Sequence, residues 1–256
     1  MSTGYVSNFE SRTVLNERKA PLRVAITGGT SGLGLALVHE FAESGARVAF
    51  VARNRDGVER VMRELPQVHG IVGDVSNKND IYPIAIQLLW ALGGLDVLIN
   101  NASTLGPVPL APLADTACED LELALTTNVL GPFRLTKALL GSLAASAREG
   151  RGALVVNISS DAAINAYPNW GAYGASKAAL RHLSSIWNEE LTPAGIRVIS
   201  FDPGDMDTPM HTLALPGADA AELKRPETSA RDLANLVSNM VSDWTRNATP
   251  MERTPR

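Results

Sequence analysis

Cysteine is nearly absent from this chain. Cys118 stands alone among 256 residues, so no intramolecular disulfide can form and the fold must rest on packing and hydrogen bonds. A reducing compartment suits such a sequence. Aromatic residues are also scarce, at 5%, which leaves the core to aliphatic side chains. Neither sign of charge dominates: the formal net charge is −4, and without a run of like charge there is no basic footprint for nucleic acid. Long apolar runs are missing too. The most apolar stretch, residues 84–99, is broken by Gln87, Gly93, Gly94 and Asp96, too short and interrupted to span a bilayer. The first nineteen residues carry Glu10, Arg12, Glu17 and Arg18 with no apolar segment, unlike a secretory signal. The expected location is therefore cytoplasmic, with no membrane partner. The four histidines, His39, His69, His182 and His211, are scattered without ligand spacing, so no metal site is expected.

What is present is alternation. Residues 1–20 are polar and aperiodic and read as a flexible arm, and residues 246–256 read as a polar tail. Between them, over 21–245, short β-branched runs give way repeatedly to longer amphipathic stretches. Strands are expected at 23–27, 47–51, 68–72, 95–100, 153–158 and 197–201. Helices are expected at 33–44, 58–65 and 80–92, as one long stretch over 117–148, at 170–191 and at 230–244. This order predicts a single α/β domain: a Rossmann-type, doubly wound parallel sheet with right-handed crossovers and helices on both faces.

The turn after the first strand reads Thr27-Gly-Gly-Thr-Ser-Gly-Leu-Gly34. Glycines there let the backbone turn tightly and approach a pyrophosphate, whose oxygens the free N–H groups of a helix start can bind. Gly28, Thr30, Ser31, Gly32, Leu33 and Gly34 are thus candidate dinucleotide contacts. The second strand ends in Ala52-Arg53-Asn54-Arg55, without the acid that would accept from a ribose 2′-OH. Arg53 could instead pair with a 2′-phosphate, helped by the hydroxyls of Thr30 and Ser31. The pattern favours NADP(H) over NAD(H). On the bland alternative, Arg53 and Arg55 are solvated loop cations.

Tyr173 and Lys177 stand four apart on an expected helix, hence on one face. A nearby ammonium favours the phenolate, lowering a tyrosine value that would otherwise be too high for acid–base work at neutral pH. Asn157-Ile-Ser-Ser160 precedes them at the end of the fifth strand.

With Asp74-Val75 after the third strand, Asn100-Asn-Ala-Ser103 after the fourth, Asn128 in the long helix, and Pro203-Gly204 with Thr208, this layout resembles the short-chain dehydrogenase/reductase family over residues 22–210. The resemblance implies that Tyr173 donates the proton in reduction and accepts it in oxidation. It implies that Ser160 orients the reacting oxygen, that Lys177 binds the nicotinamide ribose and lowers the tyrosine pKa, and that Asn128 holds a water linking Lys177 to solvent. Asp74 and Val75 look like adenine-side contacts, Asn101, Ala102 and Ser103 like ribose-side contacts, and Pro203, Gly204, Met206 and Thr208 like nicotinamide-side contacts. Pro132 has no N–H to offer the Asn128 carbonyl, so a kink with a free carbonyl is expected there.

The chain departs from the family pattern at two places. Ser103 replaces the usual glycine of the Asn-Asn-Ala-Gly motif, and the seventh strand is missing or degenerate. The second departure makes a dimer through the two long helices the safer expectation for assembly, with a tetramer as the alternative. Leu105, Pro107, Asp161, Ile164, Tyr167, Trp170, Met206 and Met210 are expected to wall the substrate site, and residues 206–226 to form its lid. Such a lining suits a small, moderately apolar carbonyl or alcohol compound. The expected activity is that of an NADP(H)-dependent carbonyl reductase or alcohol dehydrogenase. The alternatives are a non-catalytic nucleotide-binding regulator, or a related lyase or epimerase without net redox.

Overall fold

The structure, a computed structural model, describes residues 20–247; the expected arm up to residue 19 and the tail beyond 247 lie outside the described residues. Six strands form one parallel sheet in the order β3-β2-β1-β4-β5-β6. They are β1 (Arg23–Thr27), β2 (Arg47–Ala52), β3 (His69–Val72), β4 (Val97–Asn100), β5 (Leu154–Ile158) and β6 (Arg197–Phe201). The inner strands β1, β4 and β5 are buried almost throughout, as a sheet covered on both faces requires.

The helices are α1 (Gly32–Glu43), α2 (Arg55–Glu64), α3 (Ile81–Leu92), α4 (Cys118–Leu125), α5 (Gly131–Arg148), α6 (Gly171–Leu191), α7 (Pro209–Ala214) and α8 (Pro226–Asn247). Each sheet face has its own core. On one, Leu37 and Phe41 of α1 and Leu233 and Val237 of α8 meet Val24, Ile26 and Phe50. On the other, Leu88 of α3 and Leu135, Leu139 and Leu143 of α5 meet Ala25, Leu98 and Val155. The expected doubly wound architecture is the one found. Strand order reverses between β1 and β4, so a crevice opens at their carboxyl ends, where ligands of such sheets bind.

The opposite end of the sheet is pinned by charge. Asp96, fully buried just before β4, accepts from Arg23 at 2.6 Å, from Arg151 at 2.9 Å and from the Ser146 hydroxyl at 2.5 Å. Burial alone would push its carboxyl up, but the hydrogen bonds from Arg151, Arg23 and Ser146 together hold it below the usual value.

Two boundaries differ from expectation. The long helix is not continuous: α4 gives way to a π turn over Thr126–Leu130 before α5 begins. Pro132, in the first turn of α5, has no N–H for the Asn128 carbonyl. The chain absorbs the loss by widening its register, so that the Gly131 N–H reaches back to Thr126. The last helix starts earlier than expected, at Pro226, whose fixed φ suits a first helical position. Among the described residues no seventh strand follows β6.

Candidate active site

One cavity of about 610 Å³ runs along the carboxyl ends of the strands. One end is built on the turn between β1 and α1. Gly28 takes a φ of +75°, and a Cβ on Gly34 would overlap the Gly28 carbonyl oxygen and the Asn101 amide. Only glycine lets α1 start this close to the strand. Ser31, the residue before α1, is extended and its hydroxyl caps nothing; the first turn carries no acid. The positive end of α1 is thereby left to an anion. Thr30, Ser31, Gly32 and Leu33 all line the cavity here.

The Thr27 hydroxyl accepts from the N–H groups of Asn101 and Ala102, both at 3.0 Å, and the Asn101 amide donates back to the Thr27 carbonyl at 2.9 Å. These bonds fix the edge of the crevice between β1 and β4. Arg53, exposed at the end of β2, lines the cavity and has no ion pair among the described residues, whereas Arg55 lies away from the lining. Asp74 lines it too, its carboxylate held by the N–H and hydroxyl of Ser76 at 2.8 and 2.7 Å, with Val75 beside it.

At the other end stand the expected acid–base residues. Tyr173 and Lys177 project from α6 and are buried, at 8% and 2% exposure. Lys177 Nζ donates to the Ile158 carbonyl at 2.8 Å and lies 5.4 Å from the Tyr173 ring centroid. Desolvation pushes the phenol up to about 12, partly countered by the Ser160 hydroxyl; the carboxylates of Asp202, Asp161 and Asp205 push it further up. Desolvation also drives Lys177 down to about 8, against the pull of Asp202. The direction is opposite to the expected lowering: burial raises the phenol, and only the Ser160 hydroxyl pulls it down.

Ser160 donates to the adjacent Asp161 carboxylate at 3.0 Å, and the Tyr167 hydroxyl takes the other Asp161 oxygen at 2.7 Å. The bonds from Tyr167 and Ser160 hold Asp161 below the usual carboxylate range against some desolvation.

Asn128 does not line the cavity. Its side chain is fully spent on stapling: Oδ1 accepts from the Ser103 hydroxyl at 3.0 Å and the Thr104 N–H at 2.8 Å, while Nδ2 donates to the Thr104 carbonyl and the Ser176 hydroxyl, both at 2.8 Å. A relay water could use only its backbone carbonyl. Ser103, unusual at its motif position, thus has a defined partner, and it lines the cavity with Ala102.

Pro203, Gly204, Met206 and Thr208 also line the cavity. Thr208 caps α7 through the His211 N–H at 3.2 Å, and the Pro203 carbonyl accepts from buried Ser229 at 2.8 Å. Of the expected substrate-wall residues, Leu105, Asp161, Tyr167, Trp170 and Met210 line the cavity, but Pro107 and Ile164 do not. Ile164, 67% exposed, follows a single turn of 3-10 helix whose one inward residue is Ala162.

Among the lining residues that went unforeseen are Thr127, Ser159, Asp202 and Asp205. The two acids flank Pro203-Gly204 at the end of β6, a strand-end position that sequence could have flagged. The hydroxyls of Thr127 and Ser159 are buried without a protein partner. Such orphans fit a wall completed by a bound molecule.

Residues 23–217 match the family model described as short chain dehydrogenase. Over 217 residues the chain is 33% identical to the dehydrogenase/reductase SDR family protein 7-like of Anopheles gambiae, a match covering 81% of this chain and 66%, just under two thirds, of that protein. Among solved structures it resembles a 3-ketoacyl-(acyl-carrier-protein) reductase from Brucella melitensis complexed with NADH, at 28% identity and a TM-score of 0.79, covering 86% of this chain and 91% of that one. It also resembles a short chain dehydrogenase from Shigella flexneri complexed with NADP, at 26% identity and a TM-score of 0.74, covering 85% and 90%.

Proposed function

This chain belongs to the short-chain dehydrogenase/reductase family, and from that premise we propose that it is an NADP(H)-dependent oxidoreductase acting on a carbonyl or alcohol of a small, moderately apolar compound. One observation carries the reading. Ser160, Tyr173 and Lys177 stand on the wall of the same cavity that reaches the glycine turn at α1.

The residues present fit a dinucleotide: a helix start without cap or acid, a backbone too close for any Cβ, and orphaned hydroxyls on the wall. The N–H groups at the start of α1 would hold the pyrophosphate, Arg53 the 2′-phosphate, Asp74 the adenine side, Lys177 the nicotinamide ribose and Thr208 the carboxamide. When bound, the nicotinamide supplies or takes up hydride. Ser160 orients the substrate oxygen. Tyr173, protonated through the neutral range, gives that oxygen its proton in reduction and takes it back in oxidation. Lys177, with a water held at the Asn128 backbone carbonyl, would lead the proton to solvent. The segment 206–226, tied down by the pairing of Met206 with Lys224, is the lid. Among the described residues no helix is long and apolar enough to cross a membrane. The expected self-association is through α5 and α6.

Titration with NADPH and NADH, followed by nicotinamide fluorescence, tests the cofactor half. NADPH should bind at least about tenfold tighter, and Arg53→Ala should erase the difference. Equal binding in the wild type would make Arg53 a surface cation. Tyr173→Phe should lose nearly all turnover while cofactor affinity stays within a few fold. Product formed without stoichiometric NADPH loss would indicate lyase or epimerase chemistry instead.

A further inference from the structure

The catalytic end of the cavity is acidic. Asp161, Asp202 and Asp205 all line it, and none is ion-paired among the described residues. On the cavity wall the basic groups are Arg53, at the far nucleotide end, buried Lys177, committed to Ile158, and His211. Lys224 approaches Gly204 but is exposed and outside the lining.

The carboxylates are also held in place. Both oxygens of Asp161 are fixed by hydroxyls, and Asp202 is anchored by the Gly204 N–H at 2.9 Å. All three act electrostatically on the Tyr173 phenol, where the reaction takes place.

A second, independent feature of the same wall is its apolar and aromatic floor. Leu105, Ala162, Trp170 and Met210 pack around Tyr173, with Trp170 edge-on to the tyrosine ring at 5.7 Å. A keto acid or phosphorylated substrate would bring negative charge against three carboxylates. A neutral one would leave the three negative charges without a counter-charge. An organic cation satisfies both halves of the wall: its charge meets the carboxylates and aromatic faces, and its carbon body meets the floor.

We propose that the substrate carries a protonated amine close to the reacting carbon, as an amino alcohol or amino ketone, and that Asp161, Asp202 and Asp205 select it. The proposal rests on reading this cavity as the active site.

The test uses the full chain at neutral pH with NADP+ and, separately, NAD+. Three alcohols of matched shape are compared: 2-amino-1-phenylethanol, 1-phenyl-1-propanol and 3-hydroxy-3-phenylpropanoate. The ammonium compound should lead the neutral one in kcat/KM by about tenfold, and the anionic one by more. Higher salt should narrow that lead, and Asp202→Asn and Asp205→Asn should bring the ratio toward one. Equal or better use of the neutral alcohol, or a ratio that neither variant moves, overturns the inference while leaving the oxidoreductase reading intact. Should no alcohol be turned over, the same three compounds are titrated against cofactor-loaded protein by tryptophan fluorescence. Preferential ammonium binding that weakens in the Asp202→Asn and Asp205→Asn variants supports the inference and counts against the oxidoreductase reading. Absence of any preference overturns the inference.

Discussion

Lys177 Nζ lies 5.4 Å from the centroid of the Tyr173 ring, yet its hydrogen bond, at 2.8 Å, goes to the Ile158 carbonyl. The pair shares one buried environment, and burial moves the two groups in opposite senses: the phenol up to about 12, the ammonium down to about 8. Each shift favours the neutral form, as desolvation must. In the neutral range Tyr173 is thus a secure proton donor, and Lys177 is the group that titrates first.

The pH dependence follows from those signs. As pH rises through about 8, Lys177 loses its charge while Tyr173 keeps its proton. For reduction, kcat/KM measured on the cofactor reports the free enzyme. It should fall on passing about 8, and Lys177→Arg, if it binds cofactor, should carry that fall to higher pH because a guanidinium does not titrate there. A wild-type profile that stays flat until the ordinary tyrosine value, about 10, would assign the limb to Tyr173 instead.

The turn at α1 makes a sharper structural demand. An alanine at 34 would drive its Cβ into the Gly28 carbonyl and the Asn101 amide, and neither can move without breaking the ties between β1 and β4. Gly34→Ala should destabilise the protein by about 1–3 kcal/mol and weaken NADPH binding at least about tenfold, as the helix start is pushed out of place. Gly141 in α5 has nothing within 4 Å of its Cβ direction. There the same substitution should stabilise by about 0.5–1 kcal/mol. Thermal melts and a fluorescence titration of the two variants check both halves.

Asp96 works at the other end of the sheet, and its effects should be on stability alone. Removing it leaves Arg23 and Arg151 without their shared carboxylate, a loss of about 3–5 kcal/mol for a buried pair. Asp96→Ala should therefore shift the denaturant midpoint strongly while the folded fraction keeps its cofactor affinity. The pH sign is also fixed. The folded value lies below 3.8, so the contribution is present above the unfolded value and lost as pH falls through the folded one. Acid titration of the variant should show less loss of stability below about 4 than the wild type does.

Much of this was legible in the sequence because it depends on local pattern. The runs at 23–27 and 197–201 are β-branched, short and bounded by turn residues, and β1 and β6 occupy just those spans. The spacing of Tyr173 and Lys177 also carries directly into space, since one helix holds both. What escaped depends on burial and on contacts across the fold. The helical period runs unbroken through 126–130, so nothing marked the π turn except Pro132. Asp202 and Asp205 sit beside a Pro-Gly pair that was read for its backbone, and their charge became meaningful only once β6 placed them beside Tyr173. The direction of the tyrosine shift depends on solvent exclusion, which sequence spacing does not encode.

The relation between Ser103 and Asn128 gives the last test. Asn128 has four hydrogen bonds, one of them from the hydroxyl that stands where the family usually has glycine. Asn128→Ala strands the half-buried Thr104 N–H and carbonyl, while the Ser176 hydroxyl keeps its 2.6 Å bond to the Tyr173 carbonyl. Unmade bonds of that kind cost about 1–3 kcal/mol apiece, so the variant should lose several kcal/mol and with it the placement of the loop leading to Leu105. Ser103→Gly removes only one bond of the four, and should cost about 1 kcal/mol. If the staple is a unit, the double variant should lose less than the sum of the singles, since with Asn128 gone the Ser103 hydroxyl has no partner left to lose. Strict additivity in denaturant melts would mean that Ser103 acts on the loop independently of Asn128.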